Sequence, residues 1–509
     1  MKTNIAISLA LLLSLNTSAV LAEDTLEADL GGFETEELNS ATDDDLAGFG
    51  EEVNKTNDDL AGFGAEENEP IESDTSTDSD SKPSMFRVSG NVAFKTSYGY
   101  IDHSVKAHLA DTKDVDYSGF TQAQTSIYLQ VDGKLSDNWK MRISGDAFYD
   151  AIYDIRTENN YNQDTLDAYQ TQLRLDDTYI VGRLTNDIDL KLGRQIVVWG
   201  KSDSIRITDV INPIDNRLPA MTDIEDLRLP TTMAKLDYYL GQWNLSAMLI
   251  GESRIMQEAA PRSEFFAVDS IFVLPGGRSL PEPFPELVTP TSSLDDLQYA
   301  FAANGVFSGW DLSFYGAYVL DQKWHFEEPI TPTTPVTSAS KRVVTRVGMA
   351  GSALNVALGS WLLKSEVAYL SGIKYNNTTD AKDRLDALVG FDYMGIKDTV
   401  FSLEIANRHI LEYETKMALQ ADFVDENEMQ TALRLTRSFS NDTINTSALV
   451  SMFGDSWQNG GFTRIWVEYD VMDAVVANVG VVDYIGGDKP LMEANKDNDR
   501  IFADIRYSF

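Results

Sequence analysis

Cysteine is absent from this 509-residue chain, and histidine occurs only four times. Without cysteine the protein can form no disulfide and offers no thiol for an N-terminal lipid anchor. His103, His108, His325 and His409 have no nucleophile motif near them. His103 and His108 could bind a metal, but a lone pair of histidines without Cys or a helical frame is weak evidence for a metal site. The sequence therefore predicts a protein that is not an enzyme and that holds no metal or other cofactor.

Positive charge is also scarce. The chain has 41 Lys and Arg against 80 Asp and Glu, a net charge of −39, which argues against nucleic acid as a partner because phosphates require Lys and Arg. Between Glu23 and Lys82, 21 acidic residues face only Lys55 and Lys82. A segment so charged and so poor in apolar residues cannot offset the entropy of folding, so we expect it to be disordered.

The N-terminal apolar run is too short for a membrane-spanning helix, which needs about 20 residues. It extends from Ile5 to Leu15, after Lys2 and before Val20-Leu21-Ala22, which is typical of a secretory signal and its cleavage site. An uncleaved anchor is the alternative. The prediction is a signal peptide (1–22), a disordered acidic tail (23–84) and a folded domain (85–509).

The acidic tail contains three copies of a unit that reads Asp-Leu-small-Gly-Phe. Such a tail is either a solvated spacer or a multivalent docking strip, in which each apolar pair fills a groove while the acids steer it to a basic surface. Repetition favours docking. The apolar pairs are Leu30 with Phe33, Leu46 with Phe49, and Leu60 with Phe63.

After Ser84 the sequence alternates between apolar and polar residues, as in "NWKMRISGDAFYD", which is typical of strands. Connections alternate between tight turns and longer loops, as in outer-membrane barrels. We predict an all-β fold, a transmembrane antiparallel β-barrel of about 18 strands, with 16 possible; a soluble β-sandwich is the alternative. The predicted strands are 85–98, 120–133, 137–151, 170–184, 188–199, 231–240, 242–252, 297–307, 309–320, 342–354, 356–371, 384–394, 397–411, 428–439, 442–455, 461–471, 473–486 and 498–509.

The last segment, "RIFADIRYSF", places Tyr507 and Phe509 on the outward face. This ending resembles the assembly signal of bacterial outer-membrane barrels, which implies the barrel assembly machinery as a partner and outer-membrane lipid as the surroundings. An even number of strands puts both ends of the barrel domain, and hence the tail, in the periplasm of a Gram-negative cell.

The most distinctive stretch is "LKLGRQIVVWGKSDSIRITDVINPIDNR", from Leu190 to Arg217. It resembles a family of proteobacterial outer-membrane proteins of unknown function and, more loosely, barrels that export alginate. The resemblance implies as partners an inner-membrane transporter of the resistance-nodulation-division type and a periplasmic lipid-carrier-like protein. The matching residues are Gly193, Arg194, Gln195, Trp199, Gly200, Asp209, Asn212 and Pro213.

Two charges in this region break the strand alternation. Leu190 and Leu192 point outward, so Arg194 would face lipid, where a charge costs about 2–4 kcal/mol. The preceding strand likewise exposes Asp177 if Tyr179 points outward. A hairpin turn at residues 185–186 would place Asp177 opposite Arg194, as a wall ion pair; bulges that turn both inward are the alternative. A polar seam for subunit contact or lipid escape is the functional hypothesis.

The loop after Gly200 is rich in charges of both signs, so we expect it to fold into the lumen and constrict the pore, meeting Arg142, Arg174 and Asp146. An extracellular cap is the alternative. The favoured function is export or translocation of a hydrophobic or lipid-like molecule, coupled through the tail to a periplasmic or inner-membrane system. A passive porin is the second hypothesis, and an adhesin that uses the loop at 252–296 is the third.

Overall fold

The structure, a computed structural model, describes residues 85–105, 114–156, 161–266, 284–293, 296–330 and 336–509. The predicted signal peptide and the tail repeats lie outside the described residues. No helix in the described part of the chain is long and apolar enough to cross a membrane.

Eighteen antiparallel strands form one closed sheet, which confirms the predicted β-barrel and its strand number. Each strand pairs with the next, and the last pairs with the first, Phe502 lying opposite Ser97. The strands are β1 (Phe86–Gly99), β2 (Gly119–Lys134), β3 (Trp139–Asp150), β4 (Thr171–Thr185), β5 (Ile188–Gln195), β6 (Thr231–Leu240), β7 (Trp243–Ile250), β8 (Gln298–Phe307), β9 (Trp310–Leu320), β10 (Arg346–Leu358), β11 (Trp361–Ile373), β12 (Lys382–Ile396), β13 (Thr399–Ile410), β14 (Asn427–Phe439), β15 (Ile444–Phe453), β16 (Gly461–Met472), β17 (Val475–Ile485) and β18 (Arg500–Ser508).

The largest differences between the predicted and the observed strand boundaries occur at two places. β5 ends at Gln195, four residues before the predicted end at residue 199, because the chain turns into the barrel there. The turn between β10 and β11 is centred on Gly359, whose φ of +60° suits glycine. It was predicted four residues earlier, at 355, because the flanking apolar run shows no break.

Tight turns join the strands at one end of the barrel, and long loops join them at the other. The long-loop end carries α1 (Ile152–Ile155), α2 (Gln163–Tyr169) and α3 (Pro490–Asn495), as well as a 3-10 turn at Thr415–Ala418. In the described parts of these loops there are also three small sheets of two-residue strands. Barrels of the outer membrane keep their short turns on the periplasmic side.

The outer surface has the character of a lipid-facing wall. Aromatic side chains mark the tight-turn end, where Phe307 stacks on Trp310 at 4.2 Å, and the long-loop end, where Tyr299 and Tyr318 lie 5.5 Å apart. Exposed aliphatic residues such as Val389 fill the band between them. Because the sheet is closed, its strands can pair their backbone N–H and C=O groups with one another, as hydrocarbon surroundings require. The protein is a transmembrane barrel of the outer-membrane kind.

The C-terminal strand has the predicted orientation. Tyr507 and Phe509 are 53% and 51% exposed on the outer face, whereas Phe502 is buried inside. The amide of Phe509 donates to Gly90 O at 2.9 Å, so the chain end lies at the tight-turn end. The role of these two residues as an assembly signal stays a prediction.

The predicted ion pair between Asp177 and Arg194 is wrong. Arg194 lies opposite Thr178 and instead pairs with Glu252, Nη2 to Oε1 at 2.5 Å. A β-bulge at Asp176 and Asp177, opposite Ser144, adds one residue to β4. That extra residue reverses the alternation beyond it, so Tyr179 faces inward, under the ammonium of Lys191 at 3.8 Å.

Candidate functional site

The lumenal loop, residues 196–230, crosses the interior of the barrel. It leaves the wall after Gln195, the last residue of β5, and returns at Thr231, the first of β6. Its apolar side chains pack against buried, inward-facing residues of the wall, among them Met233, Met248 and Met349. The loop side chains in this cluster are Val197, Trp199, Ile205, Ile207 and Ile211.

The first half of the loop is held by Glu366 of β11, which is 3% exposed. Its carboxylate accepts hydrogen bonds from the amides of Lys201, Ser202 and Thr208 at 2.6, 2.8 and 3.1 Å. The Thr208 hydroxyl donates to it at 2.7 Å. A carboxylate that accepts several N–H donors forms charge-assisted bonds, which are about twice as strong as neutral ones.

Glu404 of β13, 1% exposed, holds the tip of the same half. It accepts from the amides of Asp203 and Ser204 at 2.8 and 3.0 Å and from the Ser202 hydroxyl at 2.7 Å. β13 is the eighth strand after β5 in an eighteen-stranded barrel. The loop therefore crosses the lumen and is bound to a strand that lies almost diametrically opposite β5.

The second half of the loop reaches a different part of that wall. Asp223 lies between Arg464 of β16 and Arg434 of β14, at 2.7 and 3.1 Å. The Tyr484 hydroxyl of β17 donates to Pro219 O at 2.6 Å. These two halves place the loop across the lumen, where the sequence analysis expected it.

Arg174 makes one of the predicted wall contacts, because it lies 3.9 Å from Asp215 of the loop. Arg142 pairs with Asp132 at 2.8 Å, and Asp146 pairs with Arg174 at 2.8 Å. Both of these pairs join adjacent strands, whereas the loop contacts described above come from β11, β13, β14, β16 and β17.

Asn212 joins the two halves of the loop to the wall and is fully buried, at 0% exposure. Its side-chain oxygen accepts from Val197 N at 2.7 Å, and its amide group donates to Gln195 O and Leu229 O at 3.1 and 2.9 Å. One side chain thus connects the start, the middle and the end of the loop. Pro213 follows, and its carbonyl accepts from Leu229 N at 2.7 Å.

Asp209 provides a second internal connection. Arg206 and Arg228 both donate to its carboxylate through Nε, at 3.0 and 2.9 Å. All three side chains are at most 16% exposed. Because the partners come from opposite halves of the loop, Asp209 holds those halves together.

Trp199 and Gly200 fit the loop to the wall. Trp199 stacks on Tyr315 of β9 with ring centroids 4.7 Å apart. Gly200 has φ of +91°, and a Cβ there would lie 2.7 Å from a carboxylate oxygen of Glu366. Gln195 is buried and donates to Gly193 O and Met233 O at 3.3 Å. The signature residues predicted to form a pore loop therefore act as its anchors.

Replacing Gly193 by alanine is expected to prevent barrel assembly. Its φ is +130°, and an added Cβ would lie 2.2 Å from Thr178 O, a backbone atom that cannot move without breaking the pairing of β4 with β5. Heat-modifiable migration on gels would measure assembly. Gly316→Ala is the matched control, since nothing lies within 4 Å of a Cβ at that strand glycine. Equal assembly of both variants would contradict the prediction.

Glu366, Glu404 and Lys364 are functional positions that the sequence analysis missed. Lys364 of β11 lies 2.7 Å from Asp392 and is also paired with Asp203 of the loop. A usable signal existed, because "LKSEVAYL" and "SLEIAN" each place a charge among apolar residues at an inward position. Their partners could not be identified, since they lie some 160 to 200 residues away.

Beyond the loop, part of the lumen stays accessible to solvent. Lys95 of β1 and Arg506 of β18 face inward and are exposed. Burial, together with the neighbouring carboxylates of Glu225 and Asp223, raises the pKa of Asp226 in the loop above its ordinary value, and Arg506 and Lys95 partly counter this shift. At this place two basic residues of the wall thus face an acidic part of the loop.

The barrel and its lumenal loop define the class, a transmembrane outer-membrane β-barrel with a narrowed interior. The chain belongs to the family DUF1302, described as a protein of unknown function, whose profile matches residues 3–509. This agrees with the resemblance noted in the sequence. A search of curated proteins gave no match.

Several solved barrels are similar in fold. OccAB3 of Acinetobacter baumannii has 10% identity and a TM-score of 0.48, with 83% of this chain and 99% of that chain covered. The outer membrane protein OpdK of Pseudomonas aeruginosa has 10% identity, a TM-score of 0.45 and coverages of 83% and 99%. OmpT of Vibrio cholerae, an outer membrane protein, has 9%, 0.39, 84% and 100%.

Proposed function

We propose that the protein is a non-enzymatic outer-membrane channel, gated by its lumenal loop, that translocates a hydrophobic or lipid-like molecule. The observation that carries the proposal is the attachment of the loop, across the lumen, to the buried carboxylates of Glu366 and Glu404. These hydrogen bonds can be broken and re-formed, but release of the loop must also separate Ile205 and Ile207 from the apolar cluster that they form with the wall.

The coupling we propose is to a periplasmic or inner-membrane system through the acidic tail. The barrel domain begins beside its own C-terminus, since Met85 O accepts from Lys134 N and Phe509 pairs with Gly90 at the tight-turn end. That end faces the periplasm in outer-membrane barrels. The tail repeats would therefore reach a transporter of the resistance-nodulation-division type or a lipid-carrier-like protein.

A disulfide between the loop and the wall tests the gating. A Cβ at Gly351 of β10 would lie 3.0 Å from Thr208 Cγ2, a separation that suits a disulfide, and the chain has no other cysteine to compete. In planar bilayers, we expect oxidised Thr208→Cys/Gly351→Cys to lose channel openings and a reductant to restore them.

The two single variants are the controls, because a Cβ at Gly351 would also lie 2.9 Å from Val367 O. They show whether crowding alone alters the openings. If the oxidised and reduced double variant open equally often, the lumenal loop is not the gate.

The tail is tested in the full-length protein by changing Phe33, Phe49 and Phe63 to alanine. We expect the unaltered protein to co-purify with a periplasmic carrier or an inner-membrane transporter, and the triple variant to lose it, since each phenylalanine is the largest apolar side chain of its repeat. Equal recovery of the same partners by the triple variant would show that the repeats are not the docking site and would assign the tail a spacer role.

A passive porin for small solutes is the second candidate. The observation that favours it is that Lys95 and Arg506, two charged residues of the lumenal wall, are exposed to solvent. A water-filled path past the loop at this place would conduct ions whether or not the loop moves. Steady conductance that is insensitive to the disulfide above would favour this candidate.

A further inference from the structure

The barrel wall has a step between β4 and β5. Thr178 is the last residue of β4 that pairs with β5, where it lies opposite Arg194. The seven residues from Thr171 to Asp177 continue toward the long-loop end with a strand neighbour, β3, on one side only in the described sheet. Their other edge therefore lacks a β partner within the wall.

A second step, between β2 and β3, shows how such an edge is normally covered. There Gly119 to Ala123 extend beyond the pairing of Gln124 with Asp150. Arg156 donates to Phe120 O and Ser118 O at 2.9 and 3.0 Å, and Ala151 N donates to Ala123 O at 3.0 Å. On the edge of β4, Arg194 Nη1 donates to Leu175 O at 2.8 Å, at the lower end of the step.

The outer face of the step is apolar. Leu173 is 89% exposed, the highest value among the large apolar side chains that the structure describes, and Leu175 is 49% exposed. An uncovered strand edge in hydrocarbon costs several kcal/mol for each unpaired backbone group. The step therefore calls for an occupant that has both apolar chains and hydrogen-bonding groups, which is the chemistry of an amphiphile.

The inner face of the step is closed by the lumenal loop. Arg217 Nη2 donates to Gln172 Oε1 at 2.8 Å, and Asp215 lies 3.9 Å from Arg174, both wall residues belonging to the unpaired part of β4. The loop that spans the lumen thus also covers the step from inside. Its movement would open a path through the wall as well as along the axis.

The lower margin of the step is charged. Arg194 faces outward and pairs with Glu252, whose other oxygen accepts from Thr232 N and Oγ1 at 2.8 and 2.7 Å. Arg254 follows two residues later and donates to Pro230 O at 2.6 Å. Arg194 and Arg254 thus place two guanidinium groups at this margin, beside the carboxylates of Glu252 and of Asp176 in the bulge.

We propose that the step between β4 and β5 is a lateral passage through which the apolar chains of an amphiphile with an anionic headgroup move between the lumen and the membrane. The headgroup binds at Arg194 and Arg254, and the chains lie over Leu173 and Leu175. The proposal rests on the proposed channel function, for which it supplies an opening toward the membrane. It gives Arg194, a residue of the family signature, a role at that opening.

Photo-crosslinking of the full-length protein in nanodiscs tests the passage. A benzoylphenylalanine replaces Phe148, which faces inward on β3 opposite Gln172, or Phe462, which faces inward on β16 between two paired neighbours. The probes are phosphatidylglycerol and phosphatidylcholine with tagged acyl chains. A third variant at Leu173 is the positive control, since it faces the bilayer in any case.

We expect severalfold more tagged lipid on position 148 than on position 462, and more phosphatidylglycerol than phosphatidylcholine. Equal, background labelling at 148 and 462 overturns the passage, and equal labelling by both lipids at 148 overturns the anionic headgroup. If the variant with benzoylphenylalanine at position 148 does not assemble, benzoylphenylalanine replaces Gln172 instead. Neither negative result changes the outcome of the disulfide experiment, so the two proposals fail independently.

Discussion

Replacing Glu366 and Glu404 together by glutamine is expected to raise the ion conductance of the protein in planar bilayers, with long-lived openings. Together the two carboxylates accept seven hydrogen bonds from loop residues, five from backbone amides and two from hydroxyls. Glutamine keeps one acceptor oxygen but turns an NH₂ donor toward the loop amides, where donors then oppose donors.

The size of the effect follows from the kind of bond that is lost. A hydrogen bond to a charged group contributes about 1.5–3 kcal/mol. The net loss of about 3 kcal/mol, equivalent to one or two such bonds, would raise the population of the released loop roughly a hundredfold. Each single variant should show an intermediate effect, because each carboxylate holds a different part of the same half of the loop.

Glu468→Gln is the matched control for this prediction. Glu468 is an inward-facing carboxylate of β16, lying between Asn445 and Asn478 on the neighbouring strands. The variant Glu468→Gln removes one lumenal charge, as Glu366→Gln and Glu404→Gln each do. If Glu468→Gln raises conductance as much as Glu366→Gln, the effect is a change in the charge of the pore, and release of the loop is not its cause.

The fold was predictable because the barrel imposes a short-range pattern on the sequence. A lipid-facing strand must alternate between apolar and polar residues, and each hairpin repeats that alternation, so the strands from β1 to β18 could be located in the sequence. The pattern fails where one residue is inserted. At Asp176 and Asp177 the bulge reverses the two faces of β4. The residue opposite Arg194 differs for another reason, because the hairpin pairs Thr185 with Ile188 and then shifts its register by one residue before Arg183.

The site was less predictable, because its contacts join distant parts of the chain. The stretch from Gly193 to Pro213 was recognisable as unusual, and its lumenal course could be expected from its charges. Nothing local indicated that Gly200 faces Glu366 across the barrel, 166 positions along the chain. Such pairings depend on which strand lies opposite in the closed sheet, and only strand number, register and tilt together decide that.

Replacing Asn212 by alanine is expected to destabilise the barrel strongly and to free both halves of the lumenal loop. The variant leaves Val197 N, Gln195 O and Leu229 O without their partner at a position with 0% exposure. Each buried polar group left unpaired costs about 1–3 kcal/mol. Summed over the three groups, the loss in the free energy of unfolding is comparable to that from removing a whole buried side chain. The urea midpoint of unfolding should therefore fall clearly.

Asn478→Ala provides the comparison for Asn212→Ala. Asn478 also faces the lumen and donates to Asp504 at 3.1 Å, but its environment is partly open to water, which can replace the lost bond. We expect its urea midpoint to stay close to that of the unaltered protein. Equal midpoints for the two variants would show that the Asn212 contacts contribute little. The other expected result is a lower midpoint for Asn212→Ala together with channel openings like those of the Glu366 and Glu404 variant. Releasing either end of the loop would then have the same consequence for the pore. This result would show that the loop is secured both at its wall end and at its far end.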